Sequence, residues 1–239
     1  GDKAIFGYGT TGSVSSLTNL VSSSGVVATD TTGVGTARAG IRAASYGGDK
    51  AIFGYGETGS KVSMTNLVSS SGVVATDTTG VGTARNFLAA AGYGVGLAIF
   101  AYGYAPAYLS LSNLVSNTGV VATDTTGVGT TRAWLAAARY GEDKAIFAYG
   151  QNGGGYHSMK NLVSNLGVIA ADVTGVGTGR AQLAAVSYGG DKAIFGYGYV
   201  GGNVSMSNLV GNTGTVASDV TGVGTARQHL AAAGYSTSA

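Results

Sequence analysis

Five arginines recur along the chain, Arg38, Arg85, Arg132, Arg180 and Arg227, at intervals of 47, 47, 48 and 47 residues. Each closes a segment opened by an aspartate: "DTTGVGTAR" at 30–38 and 77–85, then three altered copies. A guanidinium can donate to carbonyls or reach an acid, and an Asp can accept backbone N–H groups in a turn. The pattern therefore has two chemical meanings. In one, Asp30, Asp77, Asp124, Asp172 and Asp219 anchor turns while the arginines fasten one repeat to the next. In the other, a five-fold ring of guanidinium groups captures an anion such as a sialic acid, sulfate or phosphate, with Arg132 as its representative.

Other chemistry is poorly supplied. "GVGTAR" lacks the Lys-Ser/Thr of a phosphate loop and opens no helix. His157 and His229 lie in different repeats without a recurring acidic companion, and no G-x-S-x-G elbow occurs. The repeated Asp-x-Thr-Gly is sparse in carboxylates for a calcium loop. With no cysteine there is neither a disulfide nor a thiolate zinc site. We therefore expect no catalytic residue, no metal and no cofactor, and a protein that is not an enzyme. A net charge of +2 is too small to call for nucleic acid or an anionic membrane. No apolar run approaches the roughly 18 residues of a membrane span, and no secretory leader is visible.

What must position these residues is a repeat. Alignment on "NLV" puts its Asn at 19, 66, 113, 161 and 208, with the same spacings as the arginines. The extra residue of the fourth copy falls in the Gly-rich "GQNGGGYHSM". The copies (1–47, 48–94, 95–141, 142–189 and 190–239) account for the whole chain as one domain. Each predicts four short strands. A small-residue strand such as "LAAAGYG" is followed by a "YGGDK" hairpin signal and the β-forming "AIF". Then come "SMTNLVSS", a Ser-Gly turn, and the β-branched "VVATDTT". Ala and Leu in "RAWLAAARYG" would also suit a helix, but the run is short and ends in Tyr-Gly.

Four-stranded units at this spacing are the mark of β-propeller blades, with a β-solenoid or an intertwined fibre as the structural alternatives. The run R-x-x-L-A-A-A-x-Y-G-x-D-K-A-I-F-x-Y-G resembles the kelch blade, with "GYG" or "AYG" where kelch carries a Gly-Gly doublet and with the sole Trp, Trp134, displaced. The repeat wording is also similar to repetitive propeller-type proteins of marine bacteriophages and environmental sequence. These resemblances imply an all-β, five-bladed, kelch-like propeller on a virion or outside the cell. The chain opens at a second strand and finishes at a first strand. The expected ring is thus closed by the C-terminal strand pairing with the N-terminal blade, leaving a monomer without free sheet edges.

A meander of this kind puts the loop after strand two and the dipeptide after each Arg on one face. The copies differ most at those two places. They carry Tyr104, Tyr108, Tyr156, His157, Tyr199, Phe87, Trp134 and His229, types common in recognition sites. The expected function is a non-catalytic module that binds a cell-surface glycan or receptor protein through this variable face. The alternative is a structural scaffold whose loops drift without a ligand.

Overall fold

The computed structural model describes residues 3–234, which form sixteen strands and no helix. The strands assemble into six small antiparallel sheets. The first holds β1 (Ala4–Thr10) and β2 (Val14–Val21). The second holds β3 (Arg42–Tyr46), β4 (Lys50–Gly54) and β5 (Thr65–Val68), and the third holds β6 (Ala89–Tyr93), β7 (Leu97–Tyr104) and β8 (Tyr108–Val115). In the fourth, β9 (Ala136–Tyr140) and β10 (Lys144–Ala148) are joined by β13 (Lys160–Val163). The long loop of that repeat makes its own hairpin, β11 (Gln151–Asn152) with β12 (Gly155–Tyr156). The fifth main sheet holds β14 (Ala184–Tyr188), β15 (Lys192–Tyr199) and β16 (Asn203–Val210). Every three-stranded sheet thus takes its first strand from the end of one repeat and the others from the next.

The Ala-rich first strands β3, β6, β9 and β14 lie side by side, each against the next. Small side chains allow that approach, and the strands line a common cavity of about 400 Å³. Apolar residues gather between neighbouring sheets, giving four clusters at four junctions. At the junction of the second and third sheets, Ala44, Tyr46, Ile52 and Tyr55 meet Leu88, Ala98, Phe100 and Val115. In each such case the second strand turns its Ile and Tyr toward the following sheet and its Phe toward the preceding one.

The Tyr after each second-strand core sits at positive φ, 63° to 66° for Tyr8, Tyr55, Tyr102, Tyr149 and Tyr197. Strand register shifts at this point in the first, third and fifth sheets, the mark of a β-bulge. A non-Gly residue in that region costs about 1–3 kcal/mol, offset here by fixed packing. Tyr55 packs its ring, tilted by 60°, 5.2 Å from Phe100 of the next sheet and donates its hydroxyl to Val81 O. The bulge thereby aims each Tyr into a junction.

The expected fourth strand is only partly formed. Segments such as 73–78 touch the third strand through two isolated bridges, Val68 with Val74 and Thr65 with Thr78. Between those bridges the ladder is taken over by a side chain, because Asn66 Nδ2 donates to Ala75 O at 3.1 Å and to Asp77 at 2.9 Å. The expected closing strand is also not seen among the described residues. Residues 230–234 belong to no strand and β1 pairs with β2 alone; residues 235–239 lie outside the described span.

Candidate functional site

The repeated arginines settle their own placement. Arg38, Arg85, Arg132 and Arg180 are fully buried. Arg132 donates from Nε to Tyr149 O at 2.9 Å, from Nη1 to Thr130 O at 3.0 Å and from Nη2 to Asn161 Oδ1 at 2.6 Å. Its guanidinium lies 4.2 Å over the Tyr102 ring and 3.9 Å from Asp172. Tyr102 belongs to the third sheet, while Asn161 lies in β13 of the fourth and Tyr149 directly follows β10, so Arg132 bridges two sheets. Burial lowers its pKa, opposed by the nearby Tyr102 and Asp172. Asp172 also accepts from the Thr130 N–H and hydroxyl at 2.9 and 2.7 Å. This is the fastening geometry, and it sets Arg132 apart from the aromatic candidates, which are half-buried or, for Tyr156, exposed.

The structure brings four of those candidates together and leaves the others apart. Just after each Arg, one residue bridges to the loop behind strand two: Ala39 to Glu57, Asn86 to Tyr104, Ala133 to Gln151, Ala181 to Tyr199. The next residue turns left-handed: Gly40 at φ 63°, Phe87 at 52°, Trp134 at 54°, Gln182 at 58° and His229 at 57°. A chain of backbone bonds links these five. Phe87 N–H donates to Gly40 O, Trp134 to Phe87 O, Gln182 to Trp134 O and His229 to Gln182 O, at 3.2, 2.9, 2.9 and 3.0 Å. The most varied positions of the repeat therefore form a collar whose backbone does not depend on their side chains.

Four aromatic residues form one cluster on this collar. Phe87 stacks on Trp134 at 4.5 Å, and Trp134 lies 6.5 Å from Tyr104 and 6.4 Å from Tyr108. Tyr104 and Tyr108 meet edge-on at 5.2 Å, and Lys61 Nζ sits 5.0 Å over Tyr104. Beneath, Asn86 donates to Glu57 Oε2 at 2.7 Å while its own Oδ1 is buried without a partner among the described residues. Tyr156 and Tyr199 form a separate pair at 6.1 Å. Beside Tyr156, His157 has a buried Nε2 without a hydrogen-bond partner among the described residues; burial, then the charge of Arg132, lower its pKa. His229 is parted from Trp134 by Gln182 in the collar.

Sequence reasoning passed over Gln182, Lys61 and Arg42. Gln182 occupies the same register as Phe87 and Trp134, a signal available in the alignment. Arg42 replaces the small residue found at Ala89, Ala136 and Ala184, and that break in the Ala pattern could have marked it. It bonds Ile41 O at 2.7 Å and lines a cavity of about 710 Å³ shared with Phe87, Trp134, Gln182 and His229. Among the described residues no cluster of three or more His, Cys, Asp or Glu could hold a metal, and no helix is long and apolar enough to cross a membrane. A scan against protein-family models finds no match to this chain, and a search of curated proteins finds none.

Proposed function

We propose that the chain is a five-bladed, kelch-like propeller acting as a non-catalytic recognition module on a virion or outside the cell. Its ligand is a cell-surface glycan or receptor protein, held on the variable face. The observation that carries this reading is the cluster of Phe87, Trp134, Tyr104 and Tyr108, four half-buried aromatic residues in mutual contact. Aromatic faces stack on sugar rings or anchor protein partners, and a recognition site needs few other groups. Lys61 and Arg42 supply positive charge near those faces.

A glycan array with the purified protein tests the proposal. Tyr108→Ala combined with Trp134→Ala should weaken binding at least tenfold, about 1.4 kcal/mol. Neither residue touches the core clusters, so the double variant should keep its melting temperature within a few degrees. Changing Asp49 and Lys50, an exposed pair in the opposite turn, should leave binding intact. Equal binding by parent and double variant would overturn the variable-face site, and a parent that binds nothing would favour a ligand-free structural scaffold.

A further inference from the structure

Four junctions between consecutive sheets share one chemistry, and its two halves stand unjoined at either end of the series. At a complete junction the link contributes an Arg and a Thr, and the preceding sheet contributes Ile and Tyr faces. The following sheet contributes a Phe, a Tyr carbonyl, an Asn and an Asp. Arg227 and Thr225 are the first half without the second. Arg227 is exposed; it lies 3.9 Å over Tyr197 and donates to Thr225 O at 3.1 Å, the only hydrogen bond of its side chain among the described residues. Ile194 and Tyr197 are partly open to solvent where Ile52, Ile99, Ile146, Tyr55, Tyr102 and Tyr149 are fully covered.

The first sheet is the second half without the first. Asn19 Nδ2 donates to Ala28 O at 3.1 Å and to Asp30 at 2.8 Å, the arrangement that Asn66, Asn113, Asn161 and Asn208 adopt. In those four copies the Asn Oδ1 accepts from a buried Arg. Asn19 Oδ1 has no such donor among the described residues. The apolar surround is equally bare. Phe6 is 51% exposed against 4% or less for Phe53, Phe100, Phe147 and Phe195, and Val27 is 54% exposed against 8% for Val74.

We propose that Tyr8 O, Asn19 and Asp30 form a guanidinium-binding cradle that Arg227 of the same chain fills, latching the fifth sheet onto the first. This rests on the propeller reading and names the contact that would complete it. The guanidinium would donate to Tyr8 O and Asn19 Oδ1 and lie beside Asp30. Thr225 would donate its N–H and hydroxyl to Asp30, and Tyr197 would cover Phe6. The occupant is this chain's own arginine because the segment just beyond it, His229–Ala233, lines one cavity with Ala4–Gly7 of the first sheet. A tethered group at such range has an effective concentration of about millimolar, far above that of a second copy in dilute solution.

Urea unfolding of parent, Arg227→Ala, Asn19→Ala and the double variant tests the latch. Each single change should lower the midpoint, and the double should fall no further than the worse single. Millimolar N-methylguanidinium, against equal sodium chloride, should raise the midpoint of Arg227→Ala and leave that of Asn19→Ala unmoved. Should these variants fold poorly, Thr225→Cys with Asp30→Cys in the cysteine-free parent offers a second route. Its model is Thr36, whose hydroxyl lies 2.6 Å from Asp77. Oxidation should give a disulfide-linked monomer. Additive or silent substitutions, absent rescue, free thiols, or covalent dimers would each overturn the proposal. Solution scattering separates it from the propeller reading: a closed disc with uncoupled variants condemns the cradle alone, whereas an open arc in the parent condemns both.

Discussion

A buried guanidinium is tolerable only when its donors and its charge are answered together, and Arg132 meets that requirement with three acceptors, an aromatic face and a nearby carboxylate. Truncation to Ala would strand Asn161 Oδ1 and Tyr149 O and leave a void, so Arg132→Ala should cost about 3 kcal/mol or more in urea unfolding. Arg132→Lys should recover little, since a point charge cannot reach three acceptors set around a planar fork. The tyrosines answer to alkali. Burial pushes Tyr55 and Tyr102 up to about 12 despite the opposing charges of Arg85 and Arg132. Their folded pKa lies above the unfolded value, so this contribution is whole below about pH 10 and is lost as pH rises toward 12. Absorbance at phenolate wavelengths should show these tyrosines ionising together with unfolding, later than exposed ones.

At the scale of the element, the link before each Arg is pressed against the third strand. A Cβ on Gly127 would meet Ser110 Oγ at 2.0 Å and Ser110 backbone carbon at 2.8 Å, and Gly33, Gly80, Gly175 and Gly222 meet the equivalent serines alike. Gly127→Ala should therefore destabilise by about 1–3 kcal/mol, whereas Gly153→Ala, with no atom within 4 Å, should be silent in a thermal melt. The crowding explains why this glycine recurs, and the sequence alone showed only that it did. Strand positions were legible because "AIF", "NLV" and the Gly-Asp turns are local signals. The aromatic cluster was legible too, since topology alone puts Tyr104, Tyr108, Phe87 and Trp134 on one face. The fourth segment was not, because its ladder is interrupted by Asn66 and its equivalents reaching a carbonyl nine residues away. The fastening role of Arg132 was one of two readings the sequence left open, because whether a repeated Arg faces solvent or a seam depends on neighbouring sheets that a single repeat does not contain.

Across the whole molecule, Asp77, Asp124, Asp172 and Asp219 act as a set. Partial burial raises each carboxyl, but bonds from the link Thr and the Asn, with the adjacent Arg, outweigh it and leave the pKa lowered. A depressed folded pKa contributes stability that is present above the unfolded value near 4 and lost as pH falls through the folded one. Melting temperature should thus hold from neutral pH to about 5 and drop steeply below 4, and Asp124→Asn should flatten that drop. The same contacts set an order of events. Arg38 finds Asn66 only 28 residues along the chain, and Thr36 finds Asp77 after 41, so each of these seams can close soon after its second half leaves the ribosome. Short loops of this kind cost little entropy and close fast. The proposed seam between Arg227 and Asn19 would span nearly the whole chain and would be the last to form. On refolding it should appear as a late kinetic phase, with the solvent-open Phe6 and Val27 making the waiting intermediate the species that captures apolar dyes and chaperones.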